Sequence, residues 1–214
     1  MPLLHDSDEA SKYLIFRSMK RRILGIDPGT NVMGYAILDA EGNHAQAVVL
    51  GAVQMQRVAD HYQRLKRIND RLQVIIEEFK PDELAIEAPF FGKNVQSMLK
   101  LGRAQGICMA AALSKGMPVT EYAPTKIKMA ITGNGSATKE QVARMLQKLL
   151  AFSEIPKYLD ATDALAIAYC HFMEGRTMAL REAAGAAAVK IPKSSGKKTS
   201  WEDFVKANPD KITH

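Results

Sequence analysis

Gly25-Ile26-Asp27-Pro28-Gly29-Thr30-Asn31 follows Arg22-Ile23-Leu24 and leads into Gly34-Tyr35-Ala36-Ile37-Leu38-Asp39. The apolar runs on either side are short and β-rich, so Asp27 falls at the end of a strand and Pro28-Gly29 turns the chain back. A second turn at Glu41-Gly42-Asn43 precedes Ala47-Val48-Val49-Leu50-Gly51-Ala52-Val53. Three short apolar runs punctuated by turn residues predict an antiparallel meander of three strands.

Beyond the meander the periodicity changes. Leu65, Ile68, Leu72, Ile75, Ile76 and Phe79 recur at helical spacing, which predicts an amphipathic helix over 60–80 that ends before Pro81. Glu83 to Glu87 reads as a short buried strand, residues 88–94 as a loop, and 95–114 as a helix rich in small residues. A fifth strand at 118–122, a short helix at 124–130 and a turn at Gly133-Asn134-Gly135-Ser136 lead to a helix over 138–150. A last helix is expected from about Asp160 to Met173, ending near Gly175. Three strands followed by alternating helices and strands predict an α/β fold with a mixed five-stranded sheet flanked by helices.

The chain has 214 residues, enough for one compact domain with tails. Residues 1–21 read as an N-terminal extension, 22–175 as the domain and 176–214 as a basic, partly disordered C-terminal tail. That tail includes a Pro, Ser, Gly and Lys linker at 191–198 and a short helix at 201–206.

Hydrophobic residues make up 47% and charged residues 24%, which supports one sizeable core and excludes a chain disordered throughout. Lys and Arg number 29 against 23 Asp and Glu, a formal net charge of +6. That sign suits a polyanionic partner, although a basic balance also fits an ordinary soluble protein. Cys108 and Cys170 lie in apolar helical segments without a CxxC pair or a His spaced for zinc, and read as buried thiols of a reducing compartment. The first 21 residues mix charges with Leu-Ile-Phe and lack the apolar core of an export signal. No segment has about 18 consecutive apolar residues, so a cytoplasmic protein with no membrane span is expected.

Four acids stand where a strand ends or a helix begins: Asp27, Glu87, Asp160 and Asp163. Asp160 and Asp163 are spaced i and i+3, so both can face one spot from the same side of a helix. Hydrolysis of a phosphodiester by paired Mg²⁺ ions needs several hard oxygen ligands converging on metals about 3.5–4 Å apart. Each acid also has a plain structural reading. Asp27-Pro28-Gly29 is a turn sequence, Asp160 and Asp163 suit a helix start, and Glu87, among Leu84, Ala85, Ile86 and Ala88, could take a buried salt bridge. Asp39, Asp60, Asp70, Asp82 and Glu83 read as ordinary solvated acids, and His171 as a structural or surface residue.

Taken together, Gly25 to Thr30 with Gly34-Tyr35, Ala85-Ile86-Glu87, Lys93-Asn94 with Leu99-Lys100-Leu101-Gly102, and Asp160-Ala161-Thr162-Asp163-Ala164-Leu165-Ala166 resemble the RuvC junction resolvases. The resemblance runs in order from about Arg22 to Phe172. It implies a ribonuclease H-like fold and an endonuclease that resolves four-way (Holliday) DNA junctions by paired symmetric nicks, in recombination and DNA repair. It makes Asp27, Glu87, Asp160 and Asp163 the catalytic, metal-binding acids, holding two Mg²⁺ ions for which Mn²⁺ could substitute. The implied products carry 5′-phosphate and 3′-hydroxyl ends, and the implied active unit is a homodimer, whose two sites suit a two-fold substrate.

By the same resemblance Phe90 stacks on an unpaired junction base, a contact worth about 1–3 kcal/mol. Lys128 and Lys139 hold phosphates near the cleavage point, with Lys93, Lys100 and Arg103 as further backbone contacts. A branch-migration complex, a junction-binding tetramer with a hexameric ATPase motor, is the implied partner. Three other readings stay open: a related nuclease acting on structured RNA, an actin-like ATPase using Gly25 to Thr30 for phosphates, and a noncatalytic junction-binding module. The ATPase needs paired domains for which 214 residues leave little room.

Overall fold

The computed structural model describes residues 20–89, 94–152, 156 and 158–187. Three antiparallel strands open the fold: β1 (Arg21–Asp27), β2 (Val32–Glu41) and β3 (His44–Gln54). Helix α1 (His61–Phe79) then crosses to β4 (Glu83–Glu87), and helix α2 (Val95–Leu113) to β5 (Val119–Tyr122). Both β4 and β5 join in parallel, giving a mixed sheet of order β3-β2-β1-β4-β5. Helices α3 (Pro124–Thr132), α4 (Lys139–Leu150) and α5 (Leu159–Ala187) complete the chain. The expected architecture is present.

Local chemistry sets the helix boundaries. Asp60 caps α1, its Oδ2 accepting from the Gln63 amide at 2.8 Å, and Lys80 leaves the helix at φ 48°. Thr138 and Gln141 form a reciprocal capping box at the start of α4. Pro124 opens α3, where its missing N–H costs nothing.

Strand alternation divides the core in two. Leu24, Ile26, Tyr35, Ile37, Leu84 and Ile86 pack under α1 and α2, whereas Ile23, Ala36, Leu38 and Ala85 pack under α3, α4 and α5. A side chain at Asp27 or Glu87, two residues beyond Gly25 or Ala85, therefore belongs to the α5 face.

Two expectations need correction. The last helix does not end near Gly175 but continues to Ala187. A lone glycine costs a helix only about 1 kcal/mol, and the residues around it are good helix formers. Here the missing side chain makes room for Arg21, whose guanidinium would lie 3.1 Å from a Cβ at Gly175. The first part of the expected tail is thus helical, while 1–19 and 188–214 lie outside the described residues.

Nor are Asp39 and Glu83 simply solvated, whereas Asp82 stays exposed as expected. Asp39 receives Arg22 Nε at 2.6 Å and Lys20 Nζ at 3.3 Å, and its bond to Arg22 holds its carboxyl below the usual range. Asp82 accepts from the Arg22 amide at 2.6 Å. Glu83 meets Arg21 Nη1 and His171 Nε2, each at 3.0 Å. Burial pushes the Glu83 carboxyl up, but the bond to His171 and the charges of His171 and Arg21 outweigh it and hold it low. Asp60 is the α1 cap already described, and Asp70 remains an exposed acid paired with Lys66.

Candidate active site

Asp27 and Glu87 end neighbouring parallel strands whose register pairs Ile26 with Ile86, so the two acids stand side by side at the C-terminal edge of the sheet. Helix α5 brings Asp160 and Asp163 to the same place because two glycines let it lie on the sheet. A Cβ on Gly25 would overlap the Ala164 carbonyl oxygen, and one on Gly34 the Asp160 carbonyl oxygen. These glycines serve close approach rather than turning.

Carboxylate oxygens of Asp27, Asp160 and Asp163 lie within 4.8 Å of one another. Glu87 is not one of this trio but stands beside Asp27 and lines, with Asp27 and Asp163, a cleft of about 270 Å³. Lys128 and Lys139 form its basic wall, and Ile127, Val142 and Ile167 are among its apolar lining. Lys139 Nζ donates to Asp163 Oδ2.

So many acids in one place alter their proton affinities. Burial, then the charges of Glu87 and Asp163, push the Asp27 carboxyl up to about 8. Glu87 is raised by burial and by Asp163, against the pull of Lys139 and Lys128. Burial also raises Asp163, against the bond and charge of Lys139. On Lys139, burial lowers the pKa, but the bond to Asp163 and the charges of Asp163, Asp27 and Asp160 together outweigh it and raise it.

Four carboxylates facing two lysines leave an uncompensated negative charge that protons or a cation must balance. An all-oxygen set of hard donors fits Mg²⁺ or Mn²⁺, and among the described residues no sulfur or imidazole joins the cluster.

The structure thus unites all four predicted acids with Lys128 and Lys139. Lys100 and Arg103 are exposed on α2 and do not line the cleft. Phe90 and Lys93 lie outside the described residues. The reading of the sequence missed Gln105, a buried amide on α2 that touches the backbone of Glu87. A glutamine beside Arg103 in a helix carries no signal that it faces inward; only helical phase against Ala104 and Cys108 could have suggested it. His171 is structural, as expected, and binds both Glu83 and the Tyr122 hydroxyl, the latter at 2.7 Å.

Clustered acids at the C-terminal edge of this mixed sheet, beneath a long helix, define a metal-dependent nuclease of the ribonuclease H-like class. Comparison with known proteins narrows the class. The family model described as "Crossover junction endodeoxyribonuclease RuvC" matches residues 23–171. Proteins of that name are 54% identical in Christiangramia forsetii, over 90% of this chain and 93% of the relative, and 53% identical in Porphyromonas gingivalis, over 90% and 97%. The solved structure of Thermus thermophilus RuvC in complex with Holliday junction substrate superposes with a TM-score of 0.69 at 32% identity, covering 74% of this chain and 97% of that one. The yeast mitochondrial Holliday junction resolvase Ydc2, at 13% identity, shares the fold with a TM-score of 0.58, covering 79% and 85%. The chain belongs to the RuvC family of crossover junction endodeoxyribonucleases.

Proposed function

We propose that this protein resolves four-way DNA junctions by paired nicks in recombination and repair, with two Mg²⁺ ions held by Asp27, Glu87, Asp160 and Asp163. The grouping of Asp27, Asp160 and Asp163, with Glu87, Asp27 and Asp163 lining one lysine-walled cleft, carries the reading.

Bound there, Mg²⁺ supplies Lewis-acid stabilisation of developing oxyanion charge and lowers the pKa of an attacking water. The protein's own groups do the rest. Lys139 fixes the Asp163 carboxylate and, with Lys128, presents positive charge to the phosphate being cut. Ile127, Val142 and Ile167 keep part of the cleft apolar, which strengthens those interactions. Mn²⁺ satisfies the same oxygen donors. Phe90 and Lys93, in the segment after Glu87, contact the junction, as do Lys100 and Arg103 on α2.

A homodimer supplies the second site. Val95, Leu99 and Leu113 are 65%, 54% and 60% exposed along one side of α2, and space is open above Gly102 and Gly106 in the same stripe. Such an apolar, small-residue stripe suits close packing against the same helix of a second copy across a two-fold axis. The branch-migration tetramer and its hexameric motor are the partners this activity serves, in the cytoplasm.

The test compares a labelled mobile four-way junction, a linear duplex of the same sequence and a structured RNA, each with Mg²⁺. Symmetric paired nicks in the junction alone support the reading; preferential RNA cutting, or junction binding without nicking under Mg²⁺ or Mn²⁺, overturns it. In the same preparation Leu99→Glu sediments at the 23.6 kDa monomer mass and loses the pairing of nicks. A variant that still sediments as a dimer removes α2 from the interface.

A further inference from the structure

We propose that Gln105 is a positioning residue that fixes the catalytic end of β4 and, through it, the metal affinity of the site. The inference rests on the assignment of Glu87 as a metal-binding acid.

Gln105 is only 5% exposed, and it and Thr162 are the buried polar residues among those described. Its neighbours on the inner face of α2 are Ala104, Cys108, Ala111 and Ala112. An apolar side chain would pack there without the cost of burying an amide. The amide is satisfied in a particular way. Nε2 donates to the backbone carbonyl of Glu87 at 3.1 Å and to Glu121 Oε1 at 2.6 Å, so both of its hydrogens have acceptors.

That carbonyl is where the sheet gives out. Pairing of β4 with β1 stops at Ile86 with Ile26, and Glu87 is followed by Ala88-Pro89. On the other side Ala88 N–H still reaches the Tyr122 carbonyl at 2.9 Å. Gln105 therefore grips the last residue of β4 from the α2 side while its carboxylate reaches toward Asp27 on the α5 side. Glu121, accepting the second hydrogen, keeps the amide turned with its donor toward the carbonyl. Without this grip the end of β4 is held only by its pairing with β5, and the Glu87 carboxylate is less firmly placed.

Groups that orient a metal ligand typically contribute about 10–100-fold to metal affinity or activity. The experiment uses full-length protein and three readouts: Mn²⁺ binding by calorimetry without DNA, hydrogen exchange of the 83–89 segment, and junction affinity beside the single-turnover cleavage rate. Gln105→Met keeps length and volume but has no donor. It should bind Mn²⁺ and cut bound junction about 10–100-fold more weakly, exchange faster at Ala88, and bind junction within about twofold of the parent. Glu121→Ala, at an exposed site, preserves the packing and should move the same readouts the same way by less, which covers a Gln105→Met protein that does not fold.

Parental Mn²⁺ affinity and cleavage rate in a folded Gln105→Met protein would overturn the proposal. So would a parallel loss of junction affinity and cleavage with Mn²⁺ binding unchanged, which would make Gln105 a support of α2 only. If the parent binds Mn²⁺ and the junction yet cuts nothing, the fault lies in the functional reading instead.

Discussion

Asp27 is the residue on which the electrostatics of the site turn. Its carboxyl sits at about 8 against an ordinary 3.8 because burial and its acidic neighbours disfavour charge. Across the window between those values the folded protein keeps a proton that the unfolded chain has released. Metal-free stability therefore falls as pH rises from about 4 to about 8. Thermal unfolding in chelator should show this decline, and Asp27→Asn should flatten it and raise the melting temperature at pH 8. For a chain of this size each kcal/mol of relieved repulsion is worth about 2–4 °C. A metal-free stability that stays level or rises across that window would contradict the account.

Other residues show what local sequence conceals. Glu83 and Asp39 look like surface acids because their partners, Arg21 and Arg22, are 62 and 17 positions away in the chain. Only the pairing of β1 with β4 and with β2 brings them together. Lys139, by contrast, came into view through family resemblance, since one lysine opening a helix says nothing about which carboxylate it will meet.

Among the elements, α5 determines whether the acids form a site. Gly25 and Gly34 leave no room for a methyl group between the sheet and the Ala164 and Asp160 carbonyls. Gly34→Ala should push the start of α5 away, destabilise the fold by about 1–3 kcal/mol, and reduce cleavage more than junction binding. Melting temperature and single-turnover rate measured together check this; a variant with parental stability and rate would show that α5 does not depend on the close approach.

Both glycines were legible as part of a strand-turn motif, but their packing role was not, because it depends on a helix about 130 residues further along. The length of α5 was misread for the same kind of reason. Gly175 looks like a stop signal alone, whereas in the fold it makes room for Arg21. The starts of α1 and α4 were the opposite case, since Asp60 and Thr138 cap their helices with bonds to residues three positions ahead.

At the scale of the whole molecule, strand order and helix placement combine ordinary signals into one site. The meander gives β1 an antiparallel neighbour in β2, the crossover through α1 places β4 on its other side, the crossover through α2 adds β5 beside β4, and α5 closes the opposite face. The sheet was legible because its strands alternate with clear helices. The meeting of Asp27, Glu87, Asp160 and Asp163 was not deducible from spacing, because turns and caps explain each acid separately. It is a product of tertiary structure, and the central claim is that this meeting performs the hydrolysis. The most direct measurement sets junction binding and Mg²⁺-dependent cutting of the parent beside those of Asp27→Asn and Glu87→Gln. The account predicts symmetric nicks by the parent and, for both variants, junction affinity at least equal to the parent's with cleavage lowered by about 10²-fold or more. Cutting by either variant at the parental rate, or a parent that binds the junction and never nicks it, would contradict the account.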